Sequence, residues 1–249
     1  MHRDDLAAAT FAVIDVETTG LDPKTDRVVE IACLRVRGGR VIERFSSLVD
    51  PGRAIPRRAS AIHGIFDRDV AFAPTLRELE PQIRRMTADA VVVAHNARFD
   101  VGFLPFVAER PVLCTMQLAR RLVDAPSYRN EALRDFLRLR TPYPLGAPHR
   151  AGSDAEVTAA LLLELLRRYE FGPYETTVPA LFTLVARRVT LARFAFGIHR
   201  GKALRQVPTG YLRWIVDAGF ENWPDVRHTA MTELGRRARC YSSSGAISA

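Results

Sequence analysis

The stretch that decides the fold is Thr10-Phe11-Ala12-Val13-Ile14-Asp15-Val16-Glu17-Thr18-Thr19-Gly20. Residues 10–17 form an almost unbroken apolar run interrupted only by two carboxylates at its end, as expected of a central strand covered on both faces. Side chains two apart on a strand share a face, so Asp15 and Glu17 project together. Two like charges in a partly buried place need a counter-charge. A hard divalent cation with oxygen ligands supplies one. Thr18-Thr19-Gly20 then turns the chain, leaving hydroxyls and backbone N–H groups beside the pair. Taken alone, the triplet is equally compatible with two carboxylates capping a loop.

Working outward, Val28–Val36 and Arg40–Val49 read as strands joined at Gly38-Gly39, a hairpin signal. Leu76, Leu79 and Ile83 predict a helix over Pro74–Met86. Ala90–Ala94 reads as a buried strand, Ala97–Ala108 as a helix, Val112–Thr115 as a short strand and Glu131–Leu139 as a helix. A stronger helix spans Ser153–Tyr169, its start marked by Ser153 and Glu156 at capping-box spacing. Strands first, then strands alternating with helices, imply an α/β fold: a mixed five-stranded sheet flanked by helices. The pattern breaks at Phe171-Gly172-Pro173. The expected organisation is a main domain over 8–172, a linker over 173–188 with a short helix at Val178–Arg188, a small α-rich basic module over 189–240, and a disordered tail over 241–249.

The chain has 249 residues, 47% hydrophobic and 26% charged, the balance of a globular protein. No apolar run approaches the roughly 20 residues of a membrane span. Met1-His2-Arg3-Asp4-Asp5 lacks the basic start of a signal peptide, so a cytoplasmic location is expected. Cys33, Cys114 and Cys240 form no CxxC pair and read as small core residues in a reducing compartment. Net charge is +8. Residues 173–249 carry 11 Lys/Arg against 5 Asp/Glu, so the excess lies in the last third. Such a surface favours phosphate-bearing partners.

Two further carboxylates stand out. His95-Asn96-Ala97-Arg98-Phe99-Asp100 follows the strand 90–94, with Asn96 as the expected N-cap. Phe99, Phe103, Phe106 and Val107 make an apolar helix face that Asp100 borders, leaning inward or lying solvated on the flank. His149 and Asp154 bracket the start of the helix 153–169, and His149 lies in a loop after Pro142, Pro144 and Pro148. Histidine changes charge near neutral pH, which suits proton transfer.

With these elements in place, the chain resembles the DEDDh 3′→5′ exonucleases. The resemblance is carried by Val13–Gly20, His95–Leu104 and His149-Arg150-Ala151-Gly152-Ser153-Asp154-Ala155, with Ile55-Pro56 and Ile62-His63-Gly64-Ile65 between them. All occur in family order over about residues 10–170. The resemblance implies an RNase H-like fold and two Mg²⁺ or Mn²⁺ ions held by Asp15, Glu17, Asp100 and Asp154. It makes His149 the general base. Thr18 and the backbone near Thr19 would position the terminal nucleotide; His63, Asn96 and Phe99 are further substrate-binding candidates. The partner implied is a nucleic acid with a free 3′ end. The family's habit of dimerising leaves a homodimer open.

Residues 194–235, with Phe196-Gly197-Ile198-His199-Arg200-Gly201-Lys202, Val207-Pro208 and Tyr211-Leu212-Arg213-Trp214-Ile215, resemble a module appended to exodeoxyribonuclease X-like enzymes. Its expected phosphate contacts are His199, Arg200, Lys202, Arg205 and Arg213; Tyr211 and Trp214 read as helix core or as stacking rings. This favours single-stranded or frayed DNA as substrate. RNA trimming, association with a polymerase as a proofreading subunit, and an inactive binding module are the alternatives.

Overall fold

The computed structural model describes residues 5–141, 149–194, 197–220 and 223–244. Three antiparallel strands come first: β1 (Thr10–Thr18), β2 (Val28–Arg37) and β3 (Arg40–Leu48). Short helices α1 (Arg57–His63) and α2 (Asp67–Val70) follow, then α3 (Leu76–Thr87), β4 (Val91–Ala94), α4 (Arg98–Phe103), β5 (Val112–Cys114), α5 (Thr115–Leu122), α6 (Asn130–Leu137), α7 (Ala151–Glu170) and α8 (Val178–Ala186). The sheet order is β3-β2-β1-β4-β5, with β4 parallel to β1 and β5 parallel to β4. This is the mixed five-stranded, RNase H-like arrangement.

β1 is central, and its period-2 alternation sorts the core into two layers. Phe11 and Val13 join α5, α7 and α8 on one face; Ala12, Ile14 and Val16 join α3 and Phe103 on the other. Asp15 and Glu17 share parity with Phe11 and Val13, so they emerge on the face that α7 covers. The pairing of β4 with β1 ends at Val13. The carboxylate-bearing end of β1 therefore runs on past its neighbour.

Several expected boundaries move for identifiable reasons. The helix expected over 97–108 stops at Phe103 and continues as a 3-10 turn, Pro105–Val107. Pro105 lacks an N–H and disfavours helical backbone at Leu104. Asn96 is not an N-cap: that position is Ala97, and Asn96 sits at φ 63°, a left-handed conformation asparagine tolerates. The helix expected from Ser153 begins at Ala151 without a side-chain cap of its own. Glu156 instead pairs with Arg44 at 2.7 Å. The capping box that forms is Thr75/Glu78, at the head of α3. The helices α1, α2 and α5 have no counterpart in the expected pattern.

The chain divides into two compact units, residues 1–185 and 186–249. Leu181 and Leu184 of α8 are buried in the first unit's core with Leu6, so most of the expected linker 173–188 belongs to that unit. The second unit contains 3-10 turns at Gly197–His199 and Leu204–Gln206, helix α9 (Thr209–Asp217) and helix α10 (Pro224–Ser244). Its core is Leu191, Phe194, Val207, Leu212, Ile215, Val226 and Ala230. Arg237 on α10 donates to Thr209 Oγ1 and to the Leu204 and Val207 carbonyls, tying the turn before α9 to α10. α10 continues to Ser244, so residues 241–244 of the expected tail are helical; adding residues to an existing helix is far easier than starting one. Residues 245–249 lie outside the described residues, as do Pro142, Pro144, Pro148 and Phe196. Among the described residues no helix is long and apolar enough to cross a membrane.

Candidate active site

Four carboxylates meet at the end of β1. Asp15 and Glu17 come from β1 itself. Asp154 comes from the first turn of α7, which covers the same sheet face. Asp100 comes from α4, and its Oδ1 accepts the Val16 N–H at 3.2 Å. That hydrogen bond is available because β4 leaves this part of β1 unpaired. Asp100 is buried, so of the two readings its sequence allows, the inward one holds.

Burial raises the pKa of all four carboxylates, and neighbouring carboxylates add to the rise. Desolvation holds Asp15 well above the usual range, and Asp100, Asp154, Glu17 and Glu30 add to the rise. Glu17 is pushed up to about 8, first by desolvation and then by Asp154, Glu30 and Asp100, with Arg150 opposing. Burial also pushes Asp100 up to about 8, although its hydrogen bond from Val16 works the other way. Asp154 is raised by desolvation and lowered by His149. A cluster this crowded cannot ionise fully without an added positive charge. His149 is exposed, and one ligand atom each from Glu17, His149 and Asp154 lie within 4.8 Å of one another. Mostly oxygen donors, held close and short of counter-charge, fit a hard divalent cation.

The expected substrate residues divide. Thr18 is buried and its hydroxyl donates to the Gly20 carbonyl at 2.6 Å. Thr19 is committed to the fold: its hydroxyl donates to Asp26 and accepts the Arg27 N–H, and its own N–H donates to the Arg27 carbonyl. Its side chain thus pins the 20–26 loop. Gly20 lets Asp26 approach, since a Cβ would fall 2.3 Å from Asp26 Oδ2 and displace that side chain. His63 is buried; Nδ1 accepts the Ile65 N–H, while Nε2 has no hydrogen-bond partner. Burial lowers its pKa, with the Thr18 backbone opposing. Asn96 is exposed, and Phe99 is half-buried against Phe103.

In the second unit Arg200, Lys202, Arg205 and Arg213 are exposed. His199 is buried, its Nδ1 3.3 Å from Lys202 Nζ and its ring edge-on to Tyr211. Tyr211 packs against the core, whereas Trp214 is half exposed on Tyr211 and Phe220.

Glu30 and Arg150 were assigned no role by sequence reasoning. Glu30 faces Glu17 across the β1–β2 pair and is buried. The available signal was a lone carboxylate within the apolar run Val28–Val36.

Residues 12–162 match the exonuclease family profile RNase_T. Exodeoxyribonuclease 10 of Escherichia coli (strain K12) is 36% identical over 223 residues, 87% of this chain and 95% of the relative. The DNA polymerase III subunit epsilon of Aquifex aeolicus (strain VF5) is 33% identical over 184 residues, 69% of this chain and 90% of the relative. The chain spans only 12% of the PolC-type DNA polymerase III of Thermotoga maritima, which it matches at 36% identity. Among solved structures, exonuclease X in complex with 5′ overhanging duplex DNA superposes with a TM-score of 0.60 at 33% identity, over 71% of this chain and 99% of that one.

Proposed function

This chain belongs to the exonuclease family, and on that premise we propose that it removes nucleoside 5′-monophosphates stepwise from the 3′ ends of DNA. The observation that carries the reading is the convergence of Asp15, Glu17, Asp100 and Asp154, whose burial, with repulsion among them, calls for divalent cations. We assign all four as ligands of two Mg²⁺ or Mn²⁺ ions. When bound, such ions supply the positive charge that stabilises the transition state and the leaving 3′ oxygen.

The chain's own groups do the rest. The His149 imidazole, exposed beside Glu17 and Asp154, takes the proton of the attacking water. Asp100 holds its orientation through the Val16 N–H and so fixes α4 against β1. His63, buried with its ring beside the Thr18 backbone, is assigned to the terminal nucleotide. The half-buried Phe99 ring and exposed Asn96 flank the same end of the sheet. Arg200, Lys202, Arg205 and Arg213 hold the DNA backbone without reading sequence.

DNA is preferred to RNA because the likeness to exodeoxyribonuclease 10 covers 87% of the chain. A proofreading role with a polymerase is the second reading, favoured by the epsilon-subunit likeness. The test is degradation of matched 5′-labelled DNA and RNA oligonucleotides with Mg²⁺ and with EDTA. A metal-dependent ladder shortening from the 3′ end of DNA is expected. A ladder on RNA alone would overturn the substrate, and none on either would overturn the activity.

A further inference from the structure

Helix α7 begins at Ala151 with no capping side chain from its own sequence. The first N–H groups of a helix need acceptors from elsewhere. One comes from another strand: Ala151 N–H donates to Glu30 Oε2 at 2.8 Å. The same carboxylate receives Arg150, with Nη2 2.7 Å from Oε1 and Nε 3.0 Å from Oε2. Both carboxylate oxygens are thus engaged by residues 150 and 151, immediately after His149. Glu30 is buried, with a side-chain exposure of 6%, and a buried charge-assisted fork of this kind is directional as well as strong.

His149 itself sits at φ 58°, a left-handed conformation that a non-glycine residue keeps where its surroundings impose it. On its C-terminal side the constraint is the pair of residues gripped by Glu30.

We propose that Glu30 is a positioning residue for the reaction: through the Arg150 fork and the Ala151 N–H it holds the backbone that aims His149 at the attacking water. Glu30 is not a metal ligand on this reading, because its oxygens are spent on Arg150 and Ala151. The proposal rests on His149 being the general base, and the experiment separates the two ideas.

Glu30→Gln keeps size but loses the charge that holds both guanidinium nitrogens. In the full-length protein with Mg²⁺, kcat on a DNA oligonucleotide is expected to fall about 10- to 100-fold, the range for loss of a supporting hydrogen bond or a misplacement near 1 Å. KM should stay within about twofold. In a His149→Ala background the same change should cost nothing further, since the residue it aims is gone. Arg150→Lys, which keeps the charge but loses the fork, should behave likewise and serves if Glu30→Gln does not fold. An unchanged kcat, or a loss that multiplies onto that of His149→Ala, would overturn the proposal. A wild-type protein without activity would instead overturn the exonuclease reading.

Discussion

Replacing Asp100 with asparagine should abolish hydrolysis and yet make the metal-free protein harder to melt. The side chain is buried and accepts the Val16 N–H through Oδ1, a role the asparagine carbonyl can keep. Its carboxyl is pushed up to about 8, mainly by desolvation. A raised carboxyl contributes no penalty below its unfolded value of ~3.9, a growing one as pH rises, and a constant one above the folded value. At pH 7 the forfeited stability is ~4 kcal/mol, from about 1.4 kcal/mol per pH unit. Part of the rise comes from Asp154, so ~2–4 kcal/mol is the recoverable share. For a domain of this size that is an increase in Tm of roughly 5–12 °C. Thermal melts in EDTA at pH 7 and pH 4 read it directly: Asp100→Asn should melt higher at pH 7 and about equal to wild type at pH 4. Adding Mg²⁺ should raise wild type more than the variant, since the variant has lost a ligand. A variant that melts below wild type in EDTA at pH 7, or a gap unchanged at pH 4, would refute the burial argument.

Asp15→Asn should leave less than a tenth of wild-type activity in the same oligonucleotide assay while the circular dichroism spectrum stays native. The capping residues make a paired test: Thr75→Ala, which removes a formed capping box, should lower stability by ~1 kcal/mol in urea melts, and Ser153→Ala by a few tenths at most. In the second unit, Arg205→Gln with Arg213→Gln should weaken DNA binding and reduce the slope of log K against log salt by about 2, whereas an unchanged slope would remove these residues from the DNA path.

The sequence alone determined the central strand and the first hairpin, which were legible because they rest on local periodicity and turn residues; Asp15, Glu17, Asp100, Asp154 and His149 were singled out together by the resemblance their motifs carry. Asp15 and Glu17 share a face by the geometry of a strand, whatever surrounds them. Ser153 shows where that logic ends. Its spacing to Glu156 satisfied a local rule, but the helix began two residues earlier because a carboxylate 121 positions away supplied the missing acceptor. The partners of Thr19 and His199 were likewise invisible in sequence: Asp26 with Arg27, and Tyr211 with Lys202, are brought to them by packing. Tertiary structure decided those cases because a buried polar group takes whichever partner the fold brings near, and sequence separation sets no limit on how far along the chain that partner lies.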